Sequence, residues 1–324
     1  MELIEKIRNK AKENVRKIVL PEAEDPRVIQ AAAILKQKKL ADPILLGSQA
    51  DVEKAASEQS VNLDGIQIID PAVSDKHEAF AEEYYQLRKH KGMTKEQAEE
   101  IVKQPLFFGA LMLRAGEAAG AVAGSLSPTA DVMRAAFQVV GMAEGIKAVS
   151  SSFIMVMPDG RALTFGDCAV IPNPDEQQLA SIAVSSAKTH ERLVGTEPNV
   201  AMLSFSTKGS ARHEDADKVI AATAIVKETA PDLNVDGELQ FDAAYVEAIG
   251  RKKSPGSPVA GKANVFIFPD LDAGNIGYKI TQRLAGAEAV GPVVQGLAKP
   301  FNDLSRGCSV DDIVSVACIC SVLA

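Results

Sequence analysis

The sequence predicts an α/β protein of two doubly wound domains with a cleft between them. Three observations predict this. The chain has 324 residues, too many for one ordinary compact core and enough for two domains. Short apolar runs closed by proline or glycine alternate with amphipathic helical stretches, the pattern of parallel β-α-β units. Loops rich in Ser, Gly and Asp follow several of the strands, and in open α/β sheets ligands bind beyond the carboxyl ends of the strands.

Taken in order, Leu3, Ile4, Ile7 and Ala11 share one face of a helix over residues 3–14. Lys17-Ile18-Val19-Leu20-Pro21-Glu22 is a buried strand closed by proline, and Pro26 opens the next helix. Asp42-Pro43-Ile44-Leu45-Leu46-Gly47 is a second strand, residues 51–58 a helix and residues 66–69 a third strand. Residues 75–116 read as helical pieces, one opened by the capping pair Thr94 and Gln97. Residues 119–124 form a strand that enters the loop Ser125-Leu126-Ser127-Pro128-Thr129, and a helix with Arg134 follows. Strands are then expected at 147–157 and 164–170, with a long helix at 175–192. The second half repeats the alternation, with strands at 199–203, 234–238 and 265–268 and helices at 214–229 and 276–284, and the apolar residues 290–294 lead into the C-terminal stretch. Residues 252–261, rich in Pro, Gly and Ser, are a loop.

Composition narrows the function. Hydrophobic residues at 46% and charged residues at 24% are those of a soluble globular protein. A formal charge of −8 argues against a broad nucleic-acid face, though not against local basic pockets. Aromatic residues are only 5%, so the cores should be aliphatic and base stacking is not expected. No apolar run of about 18 residues suggests a membrane span, and the N-terminus lacks the apolar centre of a signal peptide. The four cysteines, Cys168, Cys308, Cys318 and Cys320, lack metal spacing and are too few for a disulfide scaffold. Cys318 and Cys320 lie in an apolar helical run and read as buried thiols, which fits a reducing, cytoplasmic setting.

One stretch concentrates chemistry: Asn302-Asp303-Leu304-Ser305-Arg306-Gly307-Cys308-Ser309-Val310-Asp311-Asp312. Ser309 with Asp312 reads as a helix N-cap with an acid at N3. A glycine turn feeding a helix N-terminus presents free amides and the positive end of a dipole, which favour an anion. Arg306 adds a guanidinium fork. A hydroxyl, a guanidinium, amide donors and a carboxylate thus fall within residues 305–312, enough for acid–base work on an anionic substrate. The alternative reading stays open: Asp312 as a purely structural cap, Ser305 and Arg306 as turn residues. A helix N-terminus also favours the charged carboxylate, which weakens it as a base.

Other motifs exclude more than they suggest. The loop Ser204-Phe205-Ser206-Thr207-Lys208-Gly209-Ser210 lacks the spacing of a nucleoside triphosphate P-loop, and no Gly-x-Gly-x-x-Gly follows the first strand. His77, His90, His190 and His213 have no triad context and are expected at the surface or in caps. Arg88-Lys89-His90-Lys91 is a basic cluster, either a solvated helix end or a clamp on phosphate. No carboxylate cluster has divalent-metal spacing, so no metal is expected.

Several longer motifs carry a resemblance. Ser206-Thr207-Lys208-Gly209-Ser210, Asp236-Gly237-Glu238-Leu239-Gln240 and Ser254-Pro255-Gly256-Ser257-Pro258-Val259-Ala260-Gly261-Lys262-Ala263-Asn264-Val265 resemble the phosphate acetyltransferases. So do Phe268-Pro269-Asp270-Leu271, Gly274-Asn275-Ile276 and Lys299-Pro300-Phe301-Asn302-Asp303-Leu304-Ser305-Arg306-Gly307. The likeness runs from Leu20-Pro21-Glu22 to the end and is to the short form of the enzyme.

The resemblance implies acetyl transfer between coenzyme A and phosphate, with phosphate butyryl transfer as the alternative. It implies a fold like the isocitrate and isopropylmalate dehydrogenases. The first domain would be discontinuous, residues 1–144 with 295–324, and the second would span 145–294. Asp312 would sit on the first domain, facing loops of the second. By the resemblance, Asp312 deprotonates the coenzyme A thiol, Ser305 bonds the reacting carbonyl or thiol region, and Arg306, Arg88 and Arg134 engage the anions. Some members carry a cysteine just after the position of Asp159, where this chain has Gly160, so a thiol there is not required. Coenzyme A is a substrate, and no resident cofactor is implied. The expected partners are acetyl-CoA and phosphate, with no nucleic acid and no membrane, in a homodimer.

Overall fold

The computed structural model describes residues 2–324. In chain order the elements are α1 (Glu2–Glu13), β1 (Lys17–Leu20), α2 (Pro26–Gln37), β2 (Asp42–Leu46), α3 (Gln49–Glu58) and β3 (Gln67–Ile69). There follow α4 (His77–Arg88), α5 (Lys95–Val102), α6 (Pro105–Arg114), β4 (Gly120–Ala123), α7 (Thr129–Ala135), β5 (Ser150–Val156), β6 (Ala162–Gly166) and α8 (Glu176–Leu193). The remainder is β7 (Asn199–Leu203), α9 (Glu214–Thr229), β8 (Asn234–Leu239), α10 (Phe241–Tyr245), α11 (Glu247–Lys253), β9 (Val265–Ile267), α12 (Leu271–Leu284), β10 (Glu288–Gln295), β11 (Phe301–Asp303) and α13 (Val310–Leu323). Two compact units result, one of residues up to Ala143 together with Leu297–Ala324, the other Glu144–Gly296. Gln295, which the sequence reading puts in the first domain, is the last residue of β10 and pairs with Ser150, so it stays with the second unit.

The first unit holds a five-stranded sheet in the order β11-β4-β1-β2-β3, and every pair in it is parallel. Chain order reverses at β1, with β2 on one side and β4 on the other, the switch point where doubly wound sheets bind ligands. The strands are apolar on both sides because both faces are covered. Val19, Ile44, Leu46, Ala121, Ala123 and Phe301 pack with Phe80, Tyr84, Phe108 and Leu111 of α4 and α6. On the other face α13 packs on β1 and β4 and also against α1 and α2. The three-residue β11 was not expected as a strand. It is too short for a periodic signal, and only pairing with β4 creates it.

In the second unit the order is β10-β5-β6-β9-β7-β8. The β6-β9-β7-β8 part is parallel, while β5 pairs antiparallel with β6 and β10. Alternate strand residues face opposite cores. Val200, Met202, Val265 and Ile267 join Leu179, Ile182 and Val219 of α8 and α9. Ala201, Leu203 and Phe266 join Phe153, Phe165 and Ala244. Helix α12 starts at Leu271 rather than 276, because Asp270 accepts the Ala273 amide at 2.8 Å and caps it there. His190, expected at the surface or in a cap, is fully buried in α8. Its ring nitrogens meet Thr164 Oγ1 and Thr196 Oγ1, both at 2.8 Å, and this pair of hydroxyls makes its burial tolerable.

Candidate active site

Strands β1, β4 and β11 are parallel neighbours, so their carboxyl ends deliver Pro21-Glu22, Gly124-Ser125 and Leu304-Ser305 to the same edge of the sheet. Glu22 organises this edge. Its carboxylate is buried and accepts hydrogen bonds from the amides of Gly124 (2.8 Å), Ser125 (2.7 Å), Leu126 (3.2 Å) and Ser127 (2.7 Å) and from Ser125 Oγ (2.8 Å). The 124–127 turn is thereby wrapped around one side chain. Gly124 has φ +105, and a Cβ there would stand 2.4 Å from Asp303 Oδ1 and 2.6 Å from the Leu304 amide. Only glycine lets the two loops approach so closely.

Arg27, at the start of α2, ties the same edge together. Its Nε donates to both oxygens of Asp25 (3.0 and 3.1 Å) and Nη2 donates to Asp25 Oδ2 (2.6 Å) and the Ser125 carbonyl (3.0 Å). Nη1 donates to the carbonyls of Arg306 (2.9 Å) and Cys308 (2.7 Å). Burial works to raise the Asp25 carboxyl, but Arg27's side chain and amide outweigh it and hold Asp25 below the usual carboxylate range.

Ser305 and Arg306 lie in the turn between β11 and α13 and Asp312 in the first turn of α13, all three exposed. Ser305 Oγ accepts the Gly307 amide at 3.2 Å. Arg306 uses its backbone carbonyl for Arg27, while its guanidinium has no hydrogen bond or ion pair among the described residues. Ser309 and Asp312 form a reciprocal capping box. Asp312 Oδ2 accepts from the Ser309 amide and hydroxyl, both at 2.8 Å, and Ser309 Oγ accepts the Asp312 amide at 3.1 Å. The neighbouring acid is used differently: Asp311 pairs with Arg8 of α1 at 2.5 Å. Of the two adjacent carboxylates, Asp312 is the one left without a cation.

Arg88 ends α4 and Arg134 lies in the last turn of α7. The structure brings them to one place, around Tyr84. Burial pushes the Tyr84 phenol up, and the positive charges of Arg88 and Arg134 pull it back. Its hydroxyl donates to Gln138 Oε1 at 2.6 Å. The buried Nε of Arg88 has no partner among the described residues, which is costly for a guanidinium unless a ligand supplies one. Arg134 pairs with Asp131 at 2.9 Å, an exposed contact of little worth. Arg134 also lines a hollow of about 420 Å³ with Glu22, Phe107, Leu126, Ser127 and Asp131.

The sequence-expected residues therefore form two sets in the first unit, one at residues 305–312 and one around Tyr84. No hydrogen bond or ion pair joins the sets directly among the described residues. They are connected through the 124–129 loop, which Glu22 and Arg27 hold. Sequence reading missed Glu22, Arg27 and Asp303 as parts of the site. For Glu22 and Asp303 the available signal was a charged residue at or just past the end of an apolar strand; Arg27, inside α2, carried none. Among the described residues no group of three or more His, Cys, Asp or Glu could hold a metal ion.

Comparison with known proteins identifies the family. A phosphate acetyltransferase of Thermoanaerobacterium thermosaccharolyticum is 51% identical over 329 residues, covering 100% of each chain. A phosphotransacetylase of Streptococcus pyogenes superposes with a TM-score of 0.95 at 42% identity, over 99% of this chain and 97% of that one. A 4-hydroxythreonine-4-phosphate dehydrogenase of Burkholderia phymatum, 13% identical with a TM-score of 0.56 over 95% of this chain and 98% of that one, shares the fold alone. The profile of the phosphate acetyl/butaryl transferase family matches residues 2–321. The resemblance read from the motifs holds over the whole length, and the chain belongs to the phosphate acetyl/butaryl transferase family.

Proposed function

We propose that the protein is a phosphate acetyltransferase, moving an acetyl group between coenzyme A and inorganic phosphate, and that it does so by base-assisted thiolate attack with both substrates bound together. The observation that carries the reading is the supply of uncommitted positive groups. Among the described residues Arg306 has no partner for its guanidinium, and Arg88 has none for its buried Nε, while Asp312 stands on the same stretch as Arg306 without a cation.

The chemistry follows from these groups. A free thiol has a pKa of about 8.5, so only a few per cent is thiolate near neutrality. Asp312 takes the thiol proton, and the sulfur adds to the carbonyl carbon of acetyl phosphate. Negative charge gathers on the carbonyl oxygen, where donors from Ser305 and Arg306 contribute about 3–4 kcal/mol each. The carbon–oxygen bond to phosphate then breaks, phosphate leaves with the bridging oxygen, and Asp312 returns the proton. Arg88 and Arg134 bind the anionic parts of the substrates. Holding both reactants side by side removes the need for a covalent enzyme intermediate.

The test is direct. Purified protein given acetyl-CoA and phosphate should release free thiol, and release without phosphate or none at all refutes the reading. Comparing acetyl-CoA with butyryl-CoA fixes the acyl group. We also read the protein as a cytoplasmic homodimer. Ile276, Ile280 and Leu284, four residues apart on α12, are 56, 52 and 83% exposed, an apolar stripe suited to a second copy. A monomer in sedimentation at micromolar concentration contradicts that part. Among the described residues no helix is long and apolar enough to cross a membrane.

A further inference from the structure

We propose that Asp303 is a positioning residue for acetyl transfer: its buried carboxylate, bonded to Thr129, fixes the Ser305–Arg306 turn relative to the helix that carries Arg134. This rests on placing the reaction at residues 305–312. Asp303 is the last residue of β11, two positions before Ser305. Its Oδ2 accepts the Thr129 hydroxyl at 2.7 Å, and Thr129 is the first residue of α7, which leads to Arg134. One hydrogen bond thus joins the start of the helix that holds Arg134 to the base of the turn that holds Ser305.

The surroundings show why the link is more than packing. Asp303 Oδ1 is buried with no partner among the described residues. Around it stand Glu22 from the turn after β1, the Thr129 hydroxyl from α7, the Leu304 amide just past its own strand and the tightly fitted Gly124 from the β4 loop. Glu22 is the one charged group acting on it and is of like sign. The two neighbouring carboxylates are treated unequally, since Glu22 accepts five hydrogen bonds and Asp303 one from a side chain. Burial, and then Glu22, push the Asp303 carboxyl up to about 6, against the pull of Thr129. An unneeded carboxylate would be replaced at no loss by a neutral side chain of the same shape. A charged acceptor makes a stronger bond to a hydroxyl than a neutral one, so the link to Thr129 is firm above pH 6 and slack below it.

The sign of the stability effect follows. A carboxyl raised above its unfolded value binds its proton more tightly in the native state, so it lowers stability as pH rises from about 4 to about 6. Asp303→Asn removes that penalty while keeping an acceptor for Thr129.

The experiment measures kcat and KM from pH 5 to 8, and melting temperature from pH 4.5 to 8, for wild type, Asp303→Asn, Thr129→Val and the double variant. We expect Asp303→Asn to melt higher than wild type at pH 7.5 but not at pH 4.5. Its kcat should fall about tenfold at pH 7.5, with little change in KM. The wild-type fall in kcat below pH 6 should vanish in Asp303→Asn and move to higher pH in Thr129→Val. The double variant should be no worse than the poorer single one. Two results overturn the proposal: wild-type kcat and pH profile in Asp303→Asn, or a loss of activity that only tracks a lower melting temperature at every pH. Arg306→Ala run alongside separates the two claims, because undiminished kcat there strikes at the placement of the reaction rather than at Asp303.

Discussion

Replacing Arg27 by alanine should disable the site through its scaffold. The guanidinium is bonded to the nearly buried Asp25, 3% exposed, and to three backbone carbonyls, those of Ser125, Arg306 and Cys308. Removing one partner of a buried ion pair costs about 3–5 kcal/mol. Arg27 itself is 31% exposed, and water can reach part of what it leaves, so a loss of about 2–4 kcal/mol is expected. For a unit of this size that corresponds to roughly 5–10 °C in melting temperature. The loss should depend on pH with a definite sign. In the wild type the Asp25 carboxyl lies below its ordinary 3.8, so its contribution is fully present above that value and lost as pH falls further. In the variant the guanidinium's pull is gone while the residue-27 amide and Ser125 still bond the carboxylate, so the carboxyl lies higher than in the wild type and the deficit should be smaller in acid than at neutral pH. Activity should fall by about a hundredfold, because the turn that carries Ser305 and Arg306 loses its anchor and displacements near 1 Å matter that much. Arg27→Lys should recover little, since one ammonium cannot reach all the acceptors. Urea titrations at pH 4.5 and 7.5, with thiol-release kinetics at 7.5, check this. A variant as stable and as active as wild type refutes the view of Arg27 as the tie between the loops.

Arg88→Ala and Arg134→Ala should each raise KM for coenzyme A or phosphate about tenfold with kcat nearly kept, and a fall in kcat at unchanged KM contradicts their assignment to binding. Burial holds the His190 imidazole down to about 4, so the unfolded chain takes up the proton first. Stability should then be full above about pH 6.5 and decline by up to about 3 kcal/mol as pH falls to 4. His190→Gln should flatten that part of the curve, and an unchanged slope assigns the acid sensitivity elsewhere.

Much of this was legible in the sequence because the signals were local. The alternation of apolar strands and helices identifies the elements of both sheets. Ser309 with Asp312 marks the start of α13, and Asp175 with Gln178 caps α8 in the same reciprocal way. What escaped depends on partners far away in the chain. Glu22 takes its meaning from amides about a hundred positions on, and Arg27 from carbonyls nearly three hundred away. Strand β11 exists only beside β4, and β5 and β6 of the antiparallel part show no alternation because nearly every residue in them is buried. His190 looked polar and hence exposed, yet two threonine hydroxyls take it into the core. Arg88 and Arg134 could be singled out by the family likeness, but only the fold places both charges beside Tyr84.

The central claim is that Asp312 takes the thiol proton and is more than a helix cap. Asp312→Asn addresses it most directly, because an asparagine oxygen can still accept the Ser309 amide and keep α13 capped. The account predicts a melting temperature within a few degrees of wild type and a kcat lowered about 10²–10⁴-fold. An unchanged kcat, or a loss no greater than the fraction of protein unfolded, contradicts it.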